Sequence, residues 1–186
     1  MKQFPALMTA ILLSKISFSE KLSTALSLDE VEIFPRLEFQ ISQNFDLLHS
    51  EGFGDLKIGL SETEVVQILG EAESKGEQQF WGADGLYHQK WNYPQQGITL
   101  DMASETEEGS AMISSIRVKA PSQLTTKRGV AIGDSSAKVK QAYAAEEDEA
   151  APISSDFFVA GSVYGGLIFE FENNQVKEMF LGAVAE

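Results

Sequence analysis

Residues 58–73, IGLSETEVVQILGEAE, predict a short helix with a well-marked beginning. Ser61 and Glu64 stand three residues apart, the spacing of a capping box, in which each side chain accepts a hydrogen bond from the other residue's backbone N–H. An apolar stripe follows at helical spacing and consists of Val65, Ile68 and Leu69. Gly70 favours the end of the helix, because glycine readily adopts the left-handed backbone that closes many helices.

Residues 132–147, IGDSSAKVKQAYAAEE, repeat this pattern 74 positions later. The residues that match at this offset are Ile132, Gly133, Ser135, Val139 and Gln141. A second correspondence relates QGITLDM, residues 96–102, to GGLIFEF, residues 165–171, at an offset of 69. The matched positions are mostly apolar, glycine or capping residues, which a repeated scaffold requires. The sequence therefore predicts an internal duplication.

Antiparallel strands are predicted after each helix, because short apolar and aromatic runs alternate there with turn signals. The runs are EQQFW (77–81), LYHQKWNY (86–93), ITLDM (98–102) and MISSIRV (112–118) in the first half, and SSDFFVAG (154–161), GLIFEFE (166–172) and VKEMFLG (176–182) in the second. The fold class is thus α+β, with two tandem repeats of a helix plus an antiparallel meander. We place repeat 1 at residues 55–120 and repeat 2 at residues 121–186.

The N-terminus predicts a signal peptide at residues 1–19 and a helical segment at residues 20–54. Lys2 precedes an apolar run, and the small residues Ser17 and Ser19 suit a cleavage site. Cleavage after Ala25 is an alternative. We expect a periplasmic or secreted protein. If the N-terminus is instead an uncleaved amphipathic helix, the protein is cytoplasmic.

The net charge of the chain limits the classes of partner that it is expected to bind. The formal net charge is −14, which repels nucleic acid phosphates and anionic lipid headgroups. A basic protein is attracted by such a surface, although an acidic composition also serves solubility alone. There is no cysteine, so disulfides, thiol nucleophiles and thiolate metal sites are excluded. Outside the N-terminus no apolar run approaches the length of a membrane span, so we expect no stable membrane insertion.

Motifs of catalysis and metal binding are missing from the sequence. His49 and His88 are the two histidines, and neither stands in a motif, so we expect both to be solvated or to compensate a dipole. No nucleophile elbow, phosphate loop or dinucleotide fingerprint is present. The acidic runs at 105–108 and 146–149 lack the ligand pattern of a calcium loop. We therefore predict a protein that is not an enzyme, with no catalytic residue, metal or cofactor.

Aromatic residues on the predicted strands are the candidate binding residues. Tyr87, Gln89, Trp91 and Tyr93 alternate along one strand and share a face, while His88, Lys90 and Asn92 share the other. Tyrosine and tryptophan dominate protein-binding hot spots. The alternative is that this aromatic face packs on the helices as core. Further candidates beside two turns are Phe80, Trp81, Asp84 and Tyr164.

The stretches GLSETEVVQILGEAES, LTTKRGVAIGDSSAKVKQAY and GLIFEFENNQVKEMFLG resemble the SmpA/OmlA (BamE-like) fold family over about residues 55–183. In tandem form this family resembles the superfamily of the secreted β-lactamase inhibitor proteins. The resemblance implies two helical units against a curved eight-stranded sheet whose open face binds a partner. The chain departs from the lipoprotein members and from the inhibitors alike, because it has no cysteine for a lipid anchor or a disulfide.

These observations together predict an exported, non-enzymatic protein-binding module of the inhibitor or immunity type. It docks a concave aromatic sheet face with an acidic rim onto another protein, with a basic enzyme or toxin as the expected partner. One alternative is a structural or assembly component of a bacterial envelope complex. Another is a protein that binds a small ligand in the groove between the repeats.

Overall fold

A computed structural model describes residues 47–148, 150–151 and 154–183. The predicted signal peptide and most of the predicted N-terminal helical segment lie outside these residues. Residues 47–50 are helical, and this helix ends at the glycine-rich EGFGD stretch, as the sequence predicts. In the described ranges no helix is both long and apolar enough to cross a membrane.

After the helical residues 47–50, the described chain contains two further helices and eight strands. The helices are α1 (Glu62–Leu69) and α2 (Ser136–Tyr143). The strands are β1 (Ser74–Lys75), β2 (Gln79–Trp81), β3 (Leu86–Tyr93), β4 (Ile98–Ser104), β5 (Met112–Lys119), β6 (Phe157–Ala160), β7 (Gly166–Glu172) and β8 (Gln175–Gly182). Short 3₁₀ turns occupy Pro94–Gln96 and Ala144–Glu146.

All eight strands belong to one antiparallel sheet, so the predicted α+β class is confirmed. The strand order is β1-β3-β4-β5-β8-β7-β6, and β2 pairs with β3 beside β1. Strands β3, β4 and β5 form a meander, as do β6, β7 and β8. The last strands of the two meanders, β5 and β8, pair with each other and make the sheet continuous.

Both helices begin as the sequence predicts. The side chain of Ser61 accepts a hydrogen bond from the Glu64 N–H, and the Glu64 carboxylate accepts from the Ser61 N–H at 2.8 Å, so the capping box is complete. Gly70 ends α1 with a φ of 82°, a backbone conformation that favours glycine. Helix α2 begins at Ser135, whose side chain accepts from the Lys138 N–H.

The hydrophobic core lies between the helices and one face of the sheet. Val65 of α1 and Val139 and Tyr143 of α2 are fully buried in it. Their partners are alternate residues of every long strand, such as Leu100 of β4 and Phe169 of β7. Alternation along a strand sends the intervening residues to the opposite face, which we name the outer face.

Two strand assignments differ from the sequence prediction. The two-residue strand β1 was not predicted, because it is too short to carry an alternating pattern. Strand β6 begins at Phe157, three residues later than predicted, and the side chains of Ser154, Ser155 and Asp156 before it form local hydrogen bonds. The predicted Asn173–Asn174 turn is confirmed, since both residues have positive φ, as the tight hairpin between β7 and β8 requires.

Candidate binding cleft

A cleft of about 500 Å³ lies on the outer face of the sheet. It is open to solvent at the surface, and its floor is built from β3, β4, β5 and β8. The turn between β2 and β3 forms one wall. The side chains and backbone that line it belong to Trp81, Ala83, Asp84, His88, Lys90, Thr99, Asp101, Ser114, Ser115, Arg117, Phe180 and Ala183.

His88 lies at the centre of a polar cluster in this cleft. Its Nδ1 is 2.6 Å from Asp101 Oδ2, and its Nε2 is 2.8 Å from Asp84 Oδ2. A histidine ring can donate from both nitrogens only when both carry a proton. With a side chain only 5% exposed, His88 is held by two carboxylates and is shielded from water.

Asp101 anchors this cluster to the sheet. Its Oδ2 also accepts a hydrogen bond of 3.0 Å from the hydroxyl of Ser114. Ser114 is in position to donate because a β-bulge between β4 and β5 shifts the register beside Asp101. Asp101 Oδ1 is buried and has no hydrogen-bond partner in the part of the chain that the structure describes.

Asp84 reaches His88 from the GADG turn. Its Oδ1 accepts the Leu86 N–H at 3.0 Å, which fixes the turn onto the start of β3. Burial acts to raise the pKa of Asp84, but the hydrogen bonds from the Leu86 N–H and from His88 outweigh it and lower the pKa. Trp81, which precedes the turn, stacks on the His88 ring with centroids 3.9 Å apart and an interplanar angle of 14°.

The other side of the cleft is cationic and aromatic. Arg117 forms an ion pair with Glu178, and its guanidinium carbon lies 4.9 Å from the ring centre of Phe180. The Lys90 side chain is exposed on the cleft floor. In the register of the sheet, Lys90 pairs with Asp101, and Arg117 pairs with both Thr99 and Phe180.

The structure places two of the predicted binding residues, Trp81 and Asp84, in the cleft. Trp91 and Tyr93 are each 1% exposed and belong to the core. The prediction that they contact a partner is therefore wrong, and the alternative that their face packs on the helices is correct for them. The face of β3 that holds them is the covered face.

The polar groups on this covered face also have internal roles. The side chain of Gln89 accepts from the Trp91 indole N–H at 2.9 Å and donates to the Gly76 carbonyl at 3.0 Å. The Tyr93 hydroxyl donates to the carbonyl of Gly70 at the end of α1, at 3.2 Å. These bonds explain why polar groups occur on a strand face that packs as core.

The remaining predicted residues lie outside the cleft lining. Phe80 is 58% exposed and contacts Tyr87, with ring centroids 5.2 Å apart. Tyr164 is 74% exposed in the loop between β6 and β7. These three aromatic side chains are accessible, and their contact with a partner stays a prediction.

Sequence reasoning missed His88 and Asp101 as site residues. The expectation that His88 is solvated is wrong, because the turn between β2 and β3 folds over it. The signal was present but weak: Asp101 is the one charged residue within ITLDM, where an alternating strand places it on the outer face. His49, by contrast, is exposed, in agreement with the prediction.

The polar groups at the centre of the cleft are bonded to one another. Both ring nitrogens of His88 are already engaged by carboxylates, so neither is free to take a proton from a substrate. The Ser114 hydroxyl donates to the Asp101 carboxylate at 3.0 Å and makes no hydrogen bond to His88 in the described residues. Among the described residues no group of three or more His, Cys, Asp or Glu side chains could hold a metal ion.

Comparisons with known proteins identify no relative of this chain. No family model matches the chain, and no curated protein or solved structure matches it significantly. The resemblance to the BamE-like fold therefore stays a prediction.

Proposed function

We propose that this protein is a non-enzymatic binding module that receives a segment of another protein in the outer-face cleft. The observation that carries the proposal is the cleft itself. An outer sheet face with no function needs only solvated side chains. Here it holds a buried His88 between two carboxylates and a ring stacked on that histidine.

The cleft has the composition of a recognition site. Trp81 and Phe180 supply apolar area on opposite sides, and aromatic side chains are frequent binding anchors. The hydrogen bonds of Asp84 and Asp101 hold the polar floor in place before any partner arrives, which lowers the ordering cost of binding. The net charge of −14 favours a basic partner and raises the rate of encounter.

We infer that the scaffold behind the cleft is an internal duplication, as in the tandem BamE-like arrangement. The Gly59 N–H donates to the Ile113 carbonyl at 2.8 Å, and the Gly133 N–H donates to the Val176 carbonyl at the same distance. Each pair precedes a helix. The same backbone hydrogen bond from the glycine before each helix to a strand carbonyl supports two copies of one unit. The predicted export of the protein is part of the same proposal.

The proposal is tested by filling the cleft. Thr99→Arg places a long side chain on its floor, and Ile168→Arg is the matched control, because Ile168 lies at the corresponding position of β7. The partner is captured from the native host and identified by mass spectrometry. The purified partner is then mixed with each variant, and the binding of the two variants is compared. We expect Thr99→Arg to abolish binding and Ile168→Arg to retain it. Equal binding by both folded variants contradicts the proposal.

A second candidate function is the binding of a small ligand. It is favoured by the cleft volume of about 500 Å³, which lies within the range of about 300–1,000 Å³ found for small-molecule sites. Thermal stabilisation of the native protein by a metabolite, lost in Thr99→Arg, would establish it.

A partner that remains in a membrane-associated complex would instead favour the envelope-assembly alternative.

A further inference from the structure

The hydrogen-bond donors of the cleft are largely unused. The Lys90 ammonium has no hydrogen bond or ion pair with any residue that the structure describes, although the side chain lines the cleft. Arg117 uses one of its five N–H groups in its bond to Glu178. The Ser115 hydroxyl, which also lines the cleft, makes no hydrogen bond within the described ranges.

The carboxylates of the cleft, in contrast, already have donors. Asp84 accepts from the Leu86 N–H and faces His88, and Asp101 Oδ2 faces His88 and accepts from Ser114. The second oxygen of Asp101 is sealed from solvent. A cationic ligand would therefore have to displace existing bonds, whereas an anionic ligand would find free donors.

We propose that the cleft binds one carboxylate group presented by the partner protein, as an acidic side chain or a chain terminus. Lys90 and Arg117 donate to the carboxylate, and Ser115, two residues before Arg117 on β5 and across Asp101 from Lys90, lies beside them. Trp81 and Phe180 contact the apolar part of the anchoring residue. This inference rests on the proposed function and names the chemistry by which the cleft selects its partner.

A monoanion fits the cleft better than a dianion does. Asp84, Asp101 and Glu178 surround the donors, so a doubly charged phosphate would meet more repulsion than one carboxylate. Arg117 offers a planar fork that matches the two oxygens of a carboxylate. The acidic surface steers a basic protein to the site, and Lys90 and Arg117 then select an acidic anchor on it.

The test uses three probes of the same shape and different charge: benzoate, benzamide and benzamidine. Each is titrated through the millimolar range into the ¹⁵N-labelled full chain, and the backbone amide signals of Lys90, Ser115 and Arg117 are followed. We expect saturable shifts with benzoate, and affinity about tenfold weaker for neutral benzamide, since a hydrogen bond to a charged group adds roughly a factor of ten. Inorganic phosphate is expected to bind more weakly than benzoate.

Two variants complete the experiment. Lys90→Met keeps the length of the side chain and removes the ammonium, and we expect it to weaken benzoate about tenfold. Lys140→Met removes the same charge from an exposed residue of α2, on the face of the sheet opposite the cleft. It should leave the benzoate affinity unchanged. Equal binding of the three probes, preference for benzamidine, or no saturable shift overturns the inference.

The outcomes separate this inference from the proposed function. If benzoate does not bind but Thr99→Arg still abolishes partner binding, the cleft is the docking site and the carboxylate anchor is wrong. If benzoate binds and Thr99→Arg leaves the partner complex intact, the protein partner docks elsewhere.

Discussion

Each half of the sheet contains a three-stranded antiparallel meander with one register shift, and the outer faces of the two meanders differ. Between β4 and β5 the register shifts after Asp101, and between β7 and β8 it shifts after Glu170, which lies 69 positions further along the chain. The bulged strand places Ser114 beside Asp101 and Lys177 beside Glu170, at 3.0 Å and 3.1 Å. The same backbone irregularity thus supports an acid and its partner in both halves.

The difference lies in what surrounds that acid. Asp101 is 8% exposed and faces His88, under a wall made by the turn between β2 and β3. The side chain of Glu170 is 48% exposed and pairs with Lys177 in solvent. At the free edge of β6, the described residues of the second half contain no counterpart of β2. An isolated bridge between Glu147 and Ala160 lies there instead.

This comparison shows which features of the chain serve the fold and which serve the site. Buried strand residues, a register shift between two strands and a serine at the start of a helix occur in both halves. The edge strand with its turn and His88 occurs in one half alone. Since the fold does not need them in the second half, their presence in the first is best explained by the cleft that they form.

The largest expected effect tests whether the halves form one cooperative unit. Leu100→Ala and Phe169→Ala remove fully buried side chains at corresponding positions of β4 and β7. Each should lower the free energy of unfolding by about 3 to 5 kcal/mol, because burial is lost and a cavity remains. Urea unfolding followed by circular dichroism should show one transition for both variants, because β5 and β8 join the halves. A two-step transition in either variant would show that they unfold independently.

The next prediction compares the stabilising contacts of Asp101 in the first half and Glu170 in the second. His88→Ala leaves Asp84 and Asp101 facing each other without the ring between them, and should cost about 2 kcal/mol, because the buried Asp101 carboxylate loses a hydrogen-bond partner. Lys177→Ala breaks the solvent-exposed ion pair of the second half, and its effect should be too small to resolve. Both variants are measured by urea unfolding. A similar loss in the two would mean that His88 is as weakly coupled as Lys177.

Much of this architecture could be predicted from the sequence because it depends on local patterns. Alternation gave the two faces of β3 and the bounds of β3 and β7, and Ser61 and Gly70 marked the ends of α1. The open face could not be predicted, since alternation defines two faces but not which of them the helices cover. For that reason Trp91 was a candidate for binding.

The site depends on contacts between distant parts of the chain. His88 meets Asp101 because of the register between β3 and β4, and the bulge that brings Ser114 to Asp101 leaves no mark in the sequence. Phe180 joins the cleft only because β5 pairs with β8. Trp81 and Asp84 were found because they flank an evident turn, although the sequence did not show that this turn folds back onto His88.

A smaller effect distinguishes the two helix starts. The Ser61 hydroxyl both accepts from the Glu64 N–H and donates to its carboxylate, whereas the Ser135 hydroxyl accepts only from the Lys138 N–H. Ser61→Ala should therefore cost about 1 kcal/mol, and Ser135→Ala about half as much. Paired thermal melts of the two variants give the difference. If Ser135→Ala is the more damaging, the complete capping box adds nothing to the first helix.

The smallest effect is a pH dependence at the turn between β2 and β3. The pKa of Asp84 is lowered in the folded protein: burial opposes this shift, and the hydrogen bonds from Leu86 and His88 outweigh burial. A lowered pKa means that the charged form stabilises the fold above the unfolded pKa and that this contribution is lost as the pH falls through the folded pKa. Asp84→Asn should therefore be less stable than wild type at neutral pH, and the difference should begin to shrink near pH 4 and vanish only below the lowered pKa of the folded protein.

Urea unfolding of Asp84→Asn and wild type at several pH values measures this dependence. Repeating the pair in a His88→Ala background sharpens it, because one of the two bonds to Asp84 is then missing and the pH-dependent difference should shrink. If the difference is unchanged without His88, the Leu86 N–H alone sets the pKa of Asp84. The turn would then be fixed by its own backbone, and His88 would be held in the cleft by Asp101 and the Trp81 ring rather than by the turn carboxylate.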